Sequence, residues 1–223
     1  MSRLILIRHG QSTYNEKNLF TGWADVDLTE KGIEEAEQAA PLINNIQFTH
    51  AFTSELKRAQ NTLDIILKNI NQKLNIISDL ALNERDYGSL IGQNKQEAAL
   101  KYGEEQVQIW RRSFSTPPPK GESLEMTAKR TIPFFQKHIE SLLFDDGNNI
   151  IVSAHGNSIR SIVMYLHSLS SNEILKTEIG WCEPWIYEFK NGKLETFKIV
   201  PRPEDQSKSS LNNYPEKIQL KIQ

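Results

Sequence analysis

Two passages of the chain echo each other: Ile5-Leu6-Ile7-Arg8-His9-Gly10 and Ile151-Val152-Ser153-Ala154-His155-Gly156, each a short apolar run that ends in His-Gly and leads into polar residues. Short apolar runs bounded by turn residues are buried strands, so the echo sets two histidines at strand C-termini. In open α/β sheets that edge is where ligands bind, and a glycine after each histidine lets a ligand approach the backbone closely. Taken alone, either histidine reads equally well as a capping or core residue. The repetition is what marks the pair for chemistry.

Between the apolar runs lie segments of helical periodicity, the alternation of an α/β protein. Residues 4–7 form the first strand. A helix then starts at Thr29 as N-cap, with Ile33, Ala36, Ala39, Ala40 and Ile43 on one face. Residues 51–53 make a short strand, 55–68 a helix that buries Leu56, Ala59, Leu63, Ile66 and Leu67, and the region around 75–77 another strand. The charged and aromatic stretch 83–94 reads as loop. Helical segments cover 95–101 and 104–112, and Pro117-Pro118-Pro119 stops regular structure. A long helix runs from about 122 toward 143, with Pro133 placed to kink or break it. Residues 150–153 form a strand and 157–166 a helix, and 185–189 with 194–199 make a hairpin through Asn191-Gly192. The fold class predicted is α/β, a three-layer α/β/α sandwich with a mainly parallel central sheet. Its catalytic domain spans 1–200. The polar tail 201–223, with Lys208, Lys217 and Lys221, is either a mobile extension or a lid over the site.

Composition narrows the function. A chain of 223 residues, 38% of them hydrophobic, buries enough surface to fold without a disulfide or structural metal. The single cysteine, Cys182, has no partner in the chain, and no Cys and His spacing matches a zinc site, which favours a reducing compartment. A net charge of -2 argues against general nucleic-acid affinity, so any positive field is local. The N-terminal apolar run is broken by Arg8 and His9, and no stretch approaches the roughly 20 apolar residues of a membrane helix. Cytoplasmic residence, with neither membrane nor nucleic acid as partner, is the expectation.

Arg8 beside His9 lowers the histidine pKa and favours the neutral ring. A neutral imidazole can attack phosphorus and form a phosphohistidine, splitting one phosphoryl transfer into two steps. Such a site needs several cations and N–H donors around the phosphoryl oxygens, and no obligatory metal where arginines supply the charge. Arg8, Arg58, Arg85, Lys95, Arg111 and Arg112 lie at helix ends or in loops, where they could converge on one anion. Singly, each reads as a solvated surface charge; the adjacent Arg111 and Arg112 repel unless an anion neutralises them. Glu84, a carboxyl among arginines, could relay protons to a substrate hydroxyl or form half of a salt bridge. Trp110, Phe114, Phe134, Phe135 and Phe144 read as core or interface, and His50, His138 and His167 as surface or structural residues.

In order along residues 3 to about 168, Leu6-Ile7-Arg8-His9-Gly10-Gln11-Ser12, Asn15, Thr21-Gly22-Trp23, Leu56-Lys57-Arg58-Ala59, Glu84-Arg85-Asp86-Tyr87-Gly88, Asn94-Lys95, Tyr102-Gly103 through Trp110-Arg111-Arg112, Pro117-Pro118-Pro119, Gly121-Glu122-Ser123-Leu124 and Ala154-His155-Gly156-Asn157-Ser158 resemble the 2,3-bisphosphoglycerate-dependent phosphoglycerate mutases. Arg-His-Gly alone indicates only the wider histidine phosphatase superfamily; the Thr-Gly-Trp, Glu-Arg-x-Tyr-Gly and Trp-Arg-Arg segments are more specific to the mutase branch. The resemblance implies an isomerase of glycolysis and gluconeogenesis that interconverts 3-phosphoglycerate and 2-phosphoglycerate. It implies priming by 2,3-bisphosphoglycerate, no metal, and a homodimer. By the same resemblance His9 is the phosphorylated nucleophile, His155 stabilises the transferring group, and Glu84 is the acid and base. Arg8, Asn15, Arg58, His155, Gly156 and Asn157 would hold the phosphoryl group. Thr21, Gly22, Arg85, Tyr87, Lys95, Arg111 and Arg112 would hold the carboxylate and distal phosphate, and Ser12, near a helix N-terminus, would donate to a phosphate.

The chain departs from the family in places. Asp86 stands where His is usual, an added carboxylate expected to weaken anion affinity or alter substrate preference, and Gln11 replaces the commoner Glu. In place of Pro-Thr-Gly-Ile-Pro the chain reads Glu178-Ile179-Gly180-Trp181-Cys182-Glu183-Pro184-Trp185, which alters the nearby wall of the site. A phosphatase of the same superfamily needs a single anion subsite and leaves Lys95, Arg111 and Arg112 unexplained. A catalytically silent binding module is opposed by the retention of both histidines and Glu84.

Overall fold

The computed structural model describes residues 1–203, so the tail beyond Pro203 and its lid reading lie outside the described residues. The elements run in the order β1 (Ser2–Arg8), α1 (Thr13–Glu16), α2 (Glu30–Ala39), β2 (His50–Thr53), α3 (Lys57–Asn69), β3 (Ile76–Ser78), α4 (Lys95–Tyr102), α5 (Glu104–Arg112), α6 (Leu124–His138), β4 (Asn149–Ala154), α7 (Gly156–Leu166), α8 (Ser171–Lys176), β5 (Trp185–Lys190) and β6 (Lys193–Ile199). The strands form one sheet in the order β3-β2-β4-β1-β5-β6. Every pairing from β3 to β1 is parallel, and β5 alone runs against its neighbours.

The apolar runs are continuous because both sheet faces are covered. Leu4, Leu6, Ile150 and Val152 pack with Phe135 of α6 and Ile159, Ile162 and Val163 of α7. Ile5, Ile7 and Ile151 point the other way, onto Ala36 and Ala39 of α2 and Leu63 and Ile66 of α3. Each such side chain, fully buried, stabilises the fold by about 1.5–3 kcal/mol, so these two cores hold the central strands in fixed register. That register pairs Arg8 with Ala154, and His9 N–H donates to the Ala154 carbonyl at 3.0 Å. The two His-Gly ends are therefore neighbours.

Several local expectations are corrected. Thr29 does cap α2, its hydroxyl accepting from Gly32 N–H, yet Ile33 is exposed rather than on the buried face. Gly32 and Glu35 take the inward positions instead. Gly32 presses its backbone against the loop after β1, and the Glu35 carboxylate accepts from Gln11 N–H at 2.7 Å. The helix expected over 122–143 begins at Leu124, capped by Ser123, and ends at His138, with a 3-10 segment at Glu140–Phe144. It runs through Pro133 without interruption. Pro133 is exposed, so the carbonyl it leaves unbonded lies on the solvent side. Phe144 is 61% exposed and takes no part in the core, whereas Phe135 is fully buried and Phe114 and Phe134 pack against its cluster. Ser12 stands at the expected helix N-terminus as the cap of α1, whereas α8 was not expected, although Ser170 and Glu173 form a capping box readable as Ser-x-x-Glu. Asn191 and Gly192 both adopt positive φ, as a two-residue hairpin turn requires.

Candidate active site

His9 comes directly after β1 and is 2% exposed. Its Nδ1 lies 2.6 Å from the Gly10 carbonyl, which can only accept, so Nδ1 carries the proton. On the other side Arg58 Nε donates to His9 Nε2 at 3.3 Å. Nε2 thus holds the lone pair, the ring atom with which a neutral imidazole can attack. The ring's pKa lies well below its ordinary value, chiefly through burial, then Arg58, with Arg8 a lesser cause. The neighbour in sequence is outweighed by burial and by a residue that only the fold brings near.

His155 is fully buried, its ring edge-on to His9 with centroids 4.9 Å apart. Nε2 pairs with Ser54 Oγ at 2.7 Å, and Nδ1 makes no hydrogen bond among the described residues. Burial, then Arg58 and His9, push its pKa well below the ordinary value. His155 therefore backs His9 and is not part of the cavity wall.

Glu84 lies in the loop after β3, and its Oε1 accepts from Arg85 N–H at 2.7 Å and from the Asn157 backbone and amide at 3.2 and 2.8 Å. The other oxygen, Oε2, is left toward Gly156 and Arg8. The backbone of this loop is pinned from α6. Arg130 donates to the carbonyls of Leu80, Ala81, Asn83 and Glu84 and forms a fork with Glu122 at 2.9 and 2.8 Å. Trp23 Nε1 donates to the same Glu84 carbonyl at 2.6 Å. Nothing in the helical period announces Glu122 and Arg130, which stand eight positions apart and meet through the cap of α6.

One cavity is lined by His9, Arg8, Arg58, Glu84, Gly156 and Asn157, and also by Asn15, Thr21, Gly22, Tyr87, Lys95, Arg111 and Arg112. Arg58 is anchored by donating to the carbonyls of Ala24 and Gly22, both at 2.9 Å, and burial brings its pKa down to about 10. Lys95 falls to about 8, through burial first and then Arg111 and Arg8. Arg8 donates to the Ile179 carbonyl at 2.8 Å and lies over the Trp181 ring. Arg8 Nε and Thr21 Oγ1 are buried with no hydrogen-bond partner among the described residues. Such unpaired donors beside crowded cations suit an anionic ligand.

Three expected site residues stand behind the wall rather than on it. His155 is one. Arg85 is buried and donates to Tyr87 Oη at 2.7 Å and to the Arg111 carbonyl at 3.1 Å, fixing two residues that do line the cavity. Ser12 caps α1, bonded to Asn15 Oδ1 at 2.9 Å, so it positions Asn15. The glycine reading holds at one strand end only. A Cβ on Gly10 would lie 2.2 Å from the Gly32 carbonyl oxygen, so that glycine serves the packing of α2; Gly156 does line the cavity. Asp86 turns its carboxylate to Gly88 N–H at 2.8 Å, away from the cavity wall. Glu178 and Ile179, the first residues of the segment expected at the nearby wall, do line the cavity, and the sequence reading missed Leu19, Phe20 and Arg160 as lining residues. Arg160 was findable, since it lies three positions after Asn157 on the same helix face. The Cys182 thiol is buried, which raises its pKa and leaves it inert.

Comparison with known proteins agrees with this geometry. Residues 4–199 match the histidine phosphatase superfamily, branch 1. A 2,3-bisphosphoglycerate-dependent phosphoglycerate mutase of Parvibaculum lavamentivorans is 48% identical over 204 residues, covering 89% of this chain and 97% of that protein. A protein of the same name from Nitrobacter hamburgensis is 52% identical over 187 residues, covering 82% of this chain and 90% of that one. In fold the chain is similar to the alpha-ribazole phosphatase of Shigella flexneri, with a TM-score of 0.77 at 22% identity over 89% of this chain and 95% of that one. The chain belongs to branch 1 of the histidine phosphatase superfamily and, within it, to the family of the 2,3-bisphosphoglycerate-dependent phosphoglycerate mutases.

Proposed function

We propose that the protein interconverts 3-phosphoglycerate and 2-phosphoglycerate, an isomerisation of glycolysis and gluconeogenesis, through a phosphohistidine at His9. The observation that carries this reading is that Lys95 and Arg111 line the same cavity as His9 and Glu84. A hydrolase needs cations for one phosphate, whereas a mutase must hold a second anionic group while the first reacts. When bound, 2,3-bisphosphoglycerate would supply the phosphoryl group that primes His9. Arg8, Arg58 and Asn157, which line the cavity beside His9, would hold that group, and Lys95 and Arg111 the distal anion.

His9 Nε2 holds the phosphoryl group while Arg58 and Arg8 offset its charge. In transfer the Nε2–P bond breaks as the free hydroxyl oxygen of a monophosphoglycerate bonds to phosphorus, and Glu84 Oε2 takes the hydroxyl proton. The doubly esterified glycerate then turns end for end, and His9 accepts its other phosphoryl group as Glu84 returns the proton to the departing oxygen. Proximity is decisive here, because the turning molecule must stay within reach of Nε2. The cationic wall supplies the charge that metal-dependent transferases take from an ion.

The test is conversion of 3-phosphoglycerate to 2-phosphoglycerate in excess chelator, with and without 2,3-bisphosphoglycerate, while phosphate release is followed in the same tube. Cofactor-stimulated isomerisation with little free phosphate is expected. Release without isomerisation would move the assignment to a phosphatase, and silence in both channels to a binding module. No helix among the described residues is long and apolar enough to cross a membrane. A cytoplasmic homodimer is proposed on the family resemblance, and fractionation and sedimentation check it.

A further inference from the structure

The cationic cavity contains a carboxylate of its own. Glu178, in the segment where the chain departs from its family, accepts from Arg112 Nη1 through Oε1 at 2.6 Å and from Arg160 Nη2 through Oε2 at 2.7 Å. All three side chains line the cavity. One internal anion thus occupies two arginines, one at the end of α5 and one on α7. No carboxylate among the described residues lies within ion-pair distance of Lys95 or Arg111. The arrangement reaches the proton-transfer group as well. Arg160 Nη1 lies 3.5 Å from Asn157 Oδ1, and the Asn157 amide donates to Glu84 Oε1 at 2.8 Å.

We propose that Glu178 is a specificity-determining residue, a built-in carboxylate that grades the cavity's affinity for anions by their charge. This rests on the reading of the cavity as a phosphoglycerate site. A fixed negative charge repels each ligand in proportion to the ligand's own charge. With one carboxylate and about 1.5–2 negative charges per phosphate, a bisphosphoglycerate carries roughly 4–5 charges and a monophosphoglycerate about 3. The doubly phosphorylated species therefore feels Glu178 more, and is kept loose enough to turn within the site. Burial works to raise the Glu178 pKa, but Arg160 and Arg112 outweigh it and hold the pKa below the usual carboxylate value, so the charge persists at neutral pH.

The experiment is equilibrium binding to the full chain carrying His9→Asn, which prevents phosphoryl transfer, with and without Glu178→Gln. The probes are 3-phosphoglycerate and 2,3-bisphosphoglycerate, then inorganic phosphate and pyrophosphate. Removing the charge while keeping the shape is expected to tighten 2,3-bisphosphoglycerate on the order of tenfold and 3-phosphoglycerate about fourfold, the gap closing in high salt. Equal tightening of both, no change, or weaker binding of both would overturn the proposal and leave Glu178 a structural tie. Glu178→Asp carries the test through if the glutamine variant does not fold. It keeps the charge, so discrimination should stay within about twofold of the parent, and a change of threefold or more would overturn the proposal. The pyrophosphate-to-phosphate comparison separates the two readings. A cavity that fails to isomerise phosphoglycerates yet still shows the charge-graded shift on Glu178→Gln loses the functional assignment and retains the role of Glu178.

Discussion

His9 and His155 end two neighbouring parallel strands with the same dipeptide, yet the fold treats them differently. His9 lines the cavity with its Nε2 lone pair facing a guanidinium, while His155 is fully buried and bonded to Ser54. The glycines divide likewise: Gly10 is consumed by backbone packing against Gly32, and Gly156 opens onto the ligand space. The difference arises in the chain beyond each strand. After β1 comes a loop that must pass beneath the first turn of α2; after β4 comes α7 at once, with His155 as its N-cap residue. A repeated motif therefore reports repeated placement and leaves the roles of the two copies to their surroundings.

The largest effect expected is from His9→Ala, which removes the atom proposed to bond phosphorus. Turnover should fall on the order of 10⁴-fold or more, and acid-labile phosphate on the protein should vanish. Near-normal turnover in this variant would break the comparison at its root. His155→Ala should cost less, about 10²–10³-fold in kcat, the range for losing one fixed stabilising group. Phosphate should still load onto His9 in that variant, more slowly. Were the two variants equally dead and equally unphosphorylated, the asymmetry drawn from cavity lining and hydrogen-bond partners would be wrong.

The strand ends and the α/β/α layering were legible because apolar runs and turn residues are local signals. His9, Glu84 and the cations of the cavity were legible through the order of short motifs along the chain. The departures come from contacts that neither periodicity nor composition marks, some between distant residues and some within a single turn. Ile33 has a buried-face spacing, but Gly32 and Glu35 displace it because Gln11 lies against them. Arg85 was assigned to ligand binding, and the tertiary contacts turn it onto Tyr87 and Arg111. Asp86 looked like a rival to substrate anions until the turn at Gly88 occupied its carboxylate. Arg130, the residue that pins the Glu84 loop, has no signal in the sequence beyond its charge.

A smaller effect sharpens the comparison from the side of Ser54. Ser54→Ala removes the partner of His155 Nε2, and the net loss of about 0.5–1.5 kcal/mol for one hydrogen bond translates to a fall in kcat of roughly two- to tenfold. Because Ser54 Oγ also accepts from Leu56 N–H at 3.2 Å, part of the loss will appear as a lower Tm. Ser54→Thr keeps the hydroxyl and should restore most of the rate. A rate unchanged in Ser54→Ala would mean that packing alone holds the His155 ring.

Acid stability is where the two histidines should cease to differ. Both are held neutral well below the ordinary value of 6.5, and His167, buried beside Tyr187, is lowered to about 4. A depressed histidine leaves stability intact above pH 6.5. Below it the unfolded chain binds a proton that the native chain refuses, so stability falls as pH drops from 6.5 toward the folded pKa. The slope is about 1.4 kcal/mol per pH unit for each histidine in that window. Denaturant unfolding between pH 7 and 5 should therefore show His9→Asn and His155→Asn each flattening the profile by about the same amount, up to roughly one proton's worth of slope. A flattening confined to His155→Asn would mean that His9 protonates freely in the native state, and the neutral nucleophile inferred from its contacts with Gly10 and Arg58 would then have to be abandoned.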